Sequence, residues 1–246
     1  MKCGKAGPRV LGQPRKKQEF MKQKVSIPFM VIGILFCVCL ILANFLETKL
    51  IQIGPITATA GLIVFPIAYI INDCIAEVWG YRKARLIIWA GFVMNFFAVA
   101  IAQIAIALPS APFYHGQEAF ASVYGSTLRI AIASFIAFLA GSFLNAYVMS
   151  KMKVASNGKG FGYRAILSTL IGESADSLIF FPIAFFGIVP VADLFIMIFT
   201  QAALKTLYEI LILPVTYRVV NFVKKVDGTD AYDTDISYNV LKIQDI

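Results

Sequence analysis

Two carboxylates lie three residues apart in an otherwise apolar stretch, STLIGESADSLIFFPIAFFG, at residues 168–187. A charged side chain at the centre of a bilayer costs about 2.5–3.5 kcal/mol on insertion scales, so such residues usually mark function. Because residues three and four apart share one helix face, Glu173, Asp176 and Ser177 form one side of this segment, which Phe180 completes. The pattern predicts carboxylates that face a solute or a water-filled cavity.

The apolar segment 57–79 repeats this pattern with Asp73 and Glu77, which are four residues apart. We expect Asp73 to contact a solute. For Glu77 a structural alternative is equally good, because it lies within one turn of the predicted membrane interface. There it could pair with Arg82 or Lys83.

In the segment 191–217, Lys205 and Glu209 are also four apart and could pair with each other. That pairing would be purely structural. Lys205 nevertheless lies near the middle of the segment, where an ammonium group needs a carboxylate, a solute or water. In either case the side chain must face the protein interior.

Two further polar residues, Asn44 and Arg129, lie near the ends of their segments. Arg129 could instead extend its guanidinium to the membrane surface. Downstream of it, Ala133, Ala137 and Gly141 form a row of small residues four apart. Such a row is typical of closely packed membrane helices.

Acidic residues outnumber basic ones inside or at the edges of the apolar segments. The acids are Glu47, Asp73, Glu77, Glu173, Asp176 and Glu209, and the bases are Arg129 and Lys205. Since mutual pairing cannot neutralise them all, the surplus favours a cationic or donor-rich solute over an anion. Aromatic rings of Tyr69, Phe138 and Phe180 could stack on a flat ring. The sequence therefore favours a planar, nitrogen-rich heterocycle as solute.

Six apolar segments are long enough to cross a bilayer, which takes about 20 residues. They are residues 27–48, 57–79, 85–108, 127–150, 165–188 and 191–217. Only 15% of the residues are charged, against about 25% in soluble domains. We predict an all-α integral membrane protein with six transmembrane helices in one domain. The chain divides into three parts. A basic disordered tail covers residues 1–24 and contains Met21 as an alternative start. The membrane domain covers 25–222, and an acidic, mostly unstructured tail covers 223–246.

The net charge of +8 is distributed unevenly along the chain. Of the 22 Lys and Arg residues, 19 fall in tails or turns on one side of the membrane. The exceptions are Lys49, Arg129 and Lys205. This asymmetry predicts that both termini are cytoplasmic. The basic residues therefore indicate orientation and contacts with membrane lipids, not nucleic-acid binding. A single histidine and the absence of nucleotide-binding or metalloprotease motifs predict neither a metal nor a cofactor.

Four ordered motifs resemble the queuosine-precursor transporters, also called the vitamin uptake transporter family. They are NDCIAEVWGYRKAR (72–85), RIAIASFIAFLAGSFLNAYV (129–148), STLIGESADSLIFFPIAFFG (168–187) and ALKTLYEILILPVTYRV (203–219). The resemblance runs from Asn44 to about Val220. It implies import of the 7-deazaguanines preQ0, preQ1 or queuine across a bacterial cytoplasmic membrane. It also implies a six-helix plan similar to the substrate-binding subunits of energy-coupling-factor vitamin importers.

The resemblance also carries over to single positions. Asp73, Arg129, Asp176 and Lys205 match residues of the family pattern, whereas Ala175 stands where we expect Ser. Some members have Asn at position 173, so the carboxylate of Glu173 here favours the cationic preQ1. The residues expected to bind the substrate are Asn44, Asp73, Arg129, Glu173, Asp176, Ser177, Phe180 and Lys205.

Several alternatives stay open at this point. Import could be coupled to protons through Asp73 or Asp176, or it could be facilitated diffusion. The chain could instead be the substrate-binding subunit of an energy-coupling-factor importer for another vitamin. A third alternative is an intramembrane hydrolase that uses Glu173 and Asp176, although two acids on one helix make a poor catalytic dyad. The chain could work as a monomer or as a homodimer.

Overall fold

The computed structural model describes residues 25–46, 48–53, 56–125, 128–188 and 190–242. The expected basic tail at 1–24 and Glu47 lie outside these residues. The helices are α1 Ile27–Leu46, α2 Phe65–Ala107, α3 Gln117–Tyr124, α4 Leu128–Ala155, α5 Phe161–Phe185 and α6 Val191–Asp227. Within the described residues, five helical segments are long and apolar enough to cross a membrane. The prediction of a helical, multi-pass membrane protein is therefore confirmed.

A short hairpin that the sequence analysis did not predict separates α1 from α2. Strand β1 (Leu50–Ile53) pairs antiparallel with β2 (Ile56–Thr59), and the 3-10 helix Ala60–Ile63 follows. The β-branched residues of this stretch flank a Gly-Pro pair in the sequence, a combination that favours strands joined by a turn. The sequence predicts that the second membrane segment begins at residue 57, whereas α2 begins at Phe65.

Helix α2 is too long to be one membrane crossing. Its 43 residues would extend about 65 Å at 1.5 Å per residue, roughly twice the hydrocarbon thickness of about 30 Å. Gly80 interrupts the helix with φ 81° and ψ 175°, a conformation that glycine adopts without steric cost. We call residues 65–79 the first arm of α2 and residues 81–107 the second arm.

The two arms of α2 run beside α1 in opposite directions. Phe29, near the start of α1, packs on Trp79 at the end of the first arm, with ring centroids 5.2 Å apart. Tyr69, ten residues earlier, lines a cavity with the middle of α1. Asn44, near the end of α1, donates a 2.6 Å hydrogen bond to Asn95 of the second arm. We call the end of the bundle that contains Gly80 the Gly80 end.

The chain beyond α6 packs against the Gly80 end, and we call residues 228–242 the strap. The Asp233 carboxylate accepts hydrogen bonds from the Tyr81 backbone N–H (2.8 Å) and from Ser150 Oγ (2.5 Å). The ring of Tyr238 packs on the ring of Tyr81, 4.9 Å away. The acidic tail expected from residue 223 starts later in the structure, because α6 continues to residue 227. The strap has no helix or strand, but its polar residues bond to the helices.

Asp230 attaches the strap to α4 and α6. Its carboxylate accepts hydrogen bonds from the ammonium groups of Lys153 and Lys224, the latter at 2.9 Å. Partial burial opposes ionisation of Asp230, but these two hydrogen bonds outweigh it and hold its pKa below the ordinary value. Because the folded-state pKa is depressed, this stabilisation is present above the unfolded pKa of about 3.9. It is lost as the pH falls through the lower folded-state value.

Helices α4 and α5 approach each other closely at two glycines. A Cβ atom built on Gly172 would lie 2.8 Å from the Gly141 carbonyl oxygen and 2.9 Å from Asn145 Cβ. Ala133 and Ala137, which precede Gly141 in the row of small residues, are both buried. The row therefore lies in a helix interface, and α5 is held against α4 beside Glu173.

We expect Gly172→Ala to destabilise the protein by about 1–3 kcal/mol, the usual cost of overpacking a closely packed site. The clash involves a backbone oxygen, which cannot move without separating the helices. Thermal unfolding of the purified protein in detergent measures the effect. The matched control is Gly162→Ala on the same helix, where the nearest atom is the flexible Leu213 Cδ2 at 3.0 Å. Equal melting temperatures for the two variants would contradict this account of the contact.

Candidate functional site

Lys205 of α6 joins two acids of α5 inside the helix bundle. Its ammonium nitrogen lies 2.7 Å from Glu173 Oε2 and 3.3 Å from Asp176 Oδ2. The Glu173 side chain is 1% exposed, and those of Asp176 and Lys205 are each 12% exposed. The same ammonium lies 5.9 Å from the ring centroid of Tyr69, on the first arm of α2. We call these four residues the Lys205 cluster.

The Lys205 cluster follows from helical spacing and close packing. Glu173 and Asp176 share one face of α5 because they are three residues apart. The glycine contact draws that face inward, since a Cβ atom built on Gly141 would lie 3.0 Å from Asp176 Cβ and 3.2 Å from Tyr69 Oη. The cluster offers carboxylate acceptors, an ammonium donor and an aromatic ring in one place.

A second polar layer lies one helical turn nearer the Gly80 end. Asp73 follows Tyr69 by four residues on α2, and Glu209 follows Lys205 by four residues on α6. Both carboxylates are buried, and none of their four oxygens has a hydrogen-bond partner among the described residues. The amide of Asn145 lies beside Asp73 but outside hydrogen-bond geometry.

A third layer, at the Gly80 end, is an ion network around Glu77. Arg164 donates two hydrogen bonds to its carboxylate, at 2.5 and 3.1 Å, and Lys224 donates one at 2.7 Å. The ammonium of Lys153 lies 3.8 Å away. Glu77 is thus fully engaged by three bases from α4, α5 and α6, and this network holds the helices together.

Hydrogen bonds between neutral polar groups also connect the first arm of α2 to α4 and α5. The Asn72 amide donates to Asn145 Oδ1 at 2.9 Å and to the Ser142 carbonyl at 3.3 Å. The Asn145 amide in turn reaches Thr169 Oγ1 at 3.5 Å. Since buried amides are costly when unpaired, these bonds fix the relative positions of the three helices.

Cavities lie along the described part of the bundle, and two of them adjoin polar residues discussed above. The smaller has a volume of about 10 Å³ and is lined by residues that include Tyr69, Asn72 and Phe138. It has room for about one water molecule. The larger measures about 290 Å³ and is lined by residues that include Asn44 and Ser134. Its size approaches that of small-molecule pockets, but the Lys205 cluster does not line it.

Residues 59–219, well over half of the chain, match the protein family described as "Putative vitamin uptake transporter". The chain belongs to this family. It is therefore a multi-pass membrane transporter and not an enzyme, which excludes the hydrolase alternative. In this transporter the two acids of α5 bind Lys205 and do not form a catalytic pair.

Three curated relatives of this transporter have informative names. The chain is 28% identical over 177 residues to the "Probable queuosine precursor transporter" of Bacillus subtilis (strain 168), covering 71% of this chain and 77% of the relative. It is 30% identical to the protein of the same name from Haemophilus influenzae, covering 52% of each. The "Queuosine precursor transporter" of Escherichia coli (strain K12) is 29% identical, covering 58% of this chain and 62% of the relative. No solved structure matches the chain.

The structure brings together only some of the residues expected to bind substrate. Glu173, Asp176 and Lys205 are in direct contact, and Ser177 is buried on the same face of α5. Asp73 lies one turn away in the second layer. Whether these residues of the transporter bind a solute stays a prediction.

Three other expected residues have their contacts outside the Lys205 cluster. The Arg129 guanidinium donates to the carbonyls of Ile183 and Phe186 at the end of α5, at 2.5 and 2.7 Å. Asn44 bonds to the second arm of α2 and lines the larger cavity. Phe180 packs its ring on two neighbouring Phe rings of α5, with centroids 5.3 and 6.0 Å away.

The partners of Glu77 were not foreseen from the sequence. Arg82 and Lys83 were the expected partners, because they follow it within two turns. Instead the partner bases come from other helices, with Arg164 in bidentate contact. The available signal was that the sequence had already assigned Arg164 and Lys224 to turns or tails on one membrane side, next to the end of the segment that carries Glu77.

Proposed function

We propose that this transporter imports queuosine precursors, the 7-deazaguanines preQ0, preQ1 or queuine, across the bacterial cytoplasmic membrane. The supporting observation is that Glu173, Asp176 and Lys205 meet beside the Tyr69 ring. Flat nitrogen-rich rings present donors and acceptors at their edges, and a few convergent polar groups in an apolar surround are suited to bind them. The names of the three relatives support the same class of solute.

We further propose six membrane crossings with both termini in the cytoplasm. The two antiparallel arms of α2 supply two of the crossings. The first arm reaches the necessary length of about 20 residues together with the 3-10 helix that precedes it, and the second arm exceeds it by itself. Lys153, Arg164 and Lys224 all lie at the Gly80 end, together with the start of α1 and the strap. An excess of Lys and Arg is typical of the cytoplasmic side, so the Gly80 end faces the cytoplasm in this proposal.

Substrate entry requires the helices around the Lys205 cluster to separate, because the adjoining cavity has a volume of only about 10 Å³. Helix α6 is suited to move, since little of its apolar surface is buried against the other helices. Pro182 in α5 and Pro214 in α6 each remove one backbone hydrogen bond and favour bending. We infer that α6 moves away from α5 when the ring enters.

Complementation in a bacterium that neither makes nor imports preQ0 tests the proposed function. The strain expresses the full chain, receives preQ0, preQ1 or queuine at low concentration, and is scored for queuosine in tRNA. We expect at least one precursor to restore queuosine. Restoration only with a co-expressed energy-coupling ATPase module would indicate a substrate-binding subunit. No restoration by a chain shown to be in the membrane would contradict the proposal.

We expect Glu173→Gln to lower uptake of preQ1 relative to preQ0. The Lys205 cluster has two acids but one base, so it attracts the aminomethyl cation of preQ1. A hydrogen bond to a charged group contributes about 1.5–3 kcal/mol, which corresponds to a loss of roughly tenfold or more. Initial uptake rates of both labelled precursors measure the ratio. The control is Glu118→Gln on α3, an exposed acid, and an unchanged ratio in Glu173→Gln would refute the role of Glu173.

A further inference from the structure

The second polar layer contains two carboxylates without a counter-charge. Sequence spacing allowed Lys205 to pair with Glu209, but its ammonium is instead within 3.3 Å of both acids on α5. Glu209 is left 1% exposed and Asp73 is fully buried. Neither has a hydrogen-bond partner in the described part of the chain.

Helical geometry places these two carboxylates in the same layer of the bundle. The ring of Tyr69 faces the ammonium of Lys205, 5.9 Å away. Asp73 and Glu209 lie one turn further along α2 and α6, and one turn moves a side chain along the same helix face. The two helices run in the same direction here, so both carboxylates move to the same depth. Asp73 and Glu209 are therefore near enough to interact as like charges.

The charged groups that face this pair are bound elsewhere. On the side of the Gly80 end, Glu77 holds Arg164 at 2.5 Å and also binds Lys224. On the other side, Lys205 is held by the acids of α5. The facing group from α4 is the neutral amide of Asn145. No base of these layers therefore neutralises Asp73 or Glu209.

We propose that Asp73 and Glu209 form the site of an exchangeable proton that drives substrate import. This inference rests on the proposed transport function and adds a residue, Glu209, that lies outside the Lys205 cluster. Two buried like charges close together cannot both stay ionised, so the pair holds one proton between them. One proton leaves a single negative charge in the layer.

A proton suits this pair better than a metal cation. Metal cations such as Ca²⁺ take six to eight oxygen ligands, and the backbone carbonyls of these helices are engaged in helical hydrogen bonds. The described residues contain no group of three or more His, Cys, Asp or Glu residues that could hold a metal ion. The pair therefore binds the smallest cation, which needs only the two carboxylates.

In the transport cycle, the pair takes a proton from the outer side together with the ring and releases it to the cytoplasm. The loaded pair carries one negative charge and the empty pair carries two. Two charges in a dry interior are strongly unfavourable, so the empty pair must be hydrated while the helices close and return, and it takes up its next proton only from the outer side. This requirement couples ring movement to proton movement without any covalent step.

Purified full-length protein in liposomes tests the coupling with preQ0, which lacks the amine cation. With one proton per ring, a pH difference of about one unit sustains about tenfold accumulation. We expect the wild type to accumulate preQ0 inside alkaline vesicles. Asp73→Asn and Glu209→Gln should both lose this accumulation. Glu209→Gln, which lies outside the expected substrate-binding residues, should retain exchange of labelled for unlabelled preQ0 without a gradient. Glu118→Gln is the control and should accumulate like the wild type.

Accumulation that persists in both variants, or that follows a sodium gradient, would overturn the proposal. A second readout does not need transport: infrared difference spectra of the detergent-solubilised protein should show the carbonyl stretch of a protonated carboxyl. That band should vanish in Asp73→Asn and in Glu209→Gln and remain in Glu118→Gln. Its absence from the wild type would contradict the shared proton. Failure of preQ0 exchange while the band is present would instead count against the proposed substrate.

Discussion

Lys205→Met will abolish uptake and destabilise the protein. The change leaves Glu173 and Asp176 next to each other without the ammonium that lies within 3.3 Å of both. Removing one partner of a buried ion pair costs about 3–5 kcal/mol, which corresponds to a factor of more than about 100 in an equilibrium constant. Uptake of labelled preQ0 and preQ1 and thermal unfolding of the purified protein measure the two effects.

Two variants separate the functional role of Lys205 from its structural role. Lys225→Met alters an exposed lysine of the same helix and should leave uptake and melting temperature unchanged. The double variant Lys205→Met with Glu173→Gln removes one charge of each sign, so it should recover most of the lost stability. Uptake should stay absent in the double variant. Normal uptake by Lys205→Met would rule out the Lys205 cluster as the substrate site.

Glu77→Gln is expected to have the second largest effect, on stability and not on substrate affinity. It leaves Arg164 and Lys153, which are 1–2% exposed, without their shared carboxylate, at a cost of about 3–5 kcal/mol. Asp230 of the strap can neutralise only part of the remaining charge. The melting temperature in detergent and the amount of folded protein in the membrane measure the loss.

The Glu77 prediction has a matched control in Glu118→Gln, which removes an acid from the exposed surface of α3. That variant should unfold at the wild-type temperature. The fraction of Glu77→Gln that still folds should bind substrate with wild-type affinity. A Glu77→Gln protein as stable as the wild type would show that the network does not hold α2, α4, α5 and α6 together.

The acidic face of α5 could be predicted from the sequence because it depends on spacing within one helix. Glu173 and Asp176 lie three residues apart, and their shared face is a property of the segment alone. The choice of partner for Lys205 depends on another helix. Spacing made Glu209 the obvious partner, whereas packing of α6 on α5 gave Lys205 two acids and left Glu209 unpaired.

The positions of Asn44, Arg129 and Phe180 show the same limit. Their side chains suited a binding site, but each contacts another residue of the protein that the sequence did not reveal. Arg129 binds the carbonyls that end α5, which are free because a helix end lacks its own donors. Phe180 points toward other Phe rings of the same helix, and Asn44 bonds to the second arm of α2.

The break at Gly80 and the strap were beyond prediction because they stabilise each other over more than 150 residues of sequence. A Cβ atom at Gly80 would lie 2.7 Å from Asp233 Oδ1, so the strap requires a glycine there. The acidic composition of the tail suggested solvation. Its acids instead bond to Lys153, Lys224 and the Tyr81 backbone at the Gly80 end.

Equilibrium binding to the charge-balanced double variant tests the central claim most directly. The claim is that side chains of α5 and α6 form one site for a flat heterocycle. Titration calorimetry of the purified wild type with preQ0, preQ1 and queuine should show binding of at least one ring. Lys205→Met with Glu173→Gln should recover most of the stability lost in Lys205→Met and still lose affinity by about 100-fold, the equivalent of about 2.7 kcal/mol. Unchanged affinity in that variant, or no binding of any of the three rings to the folded wild type, would contradict the account.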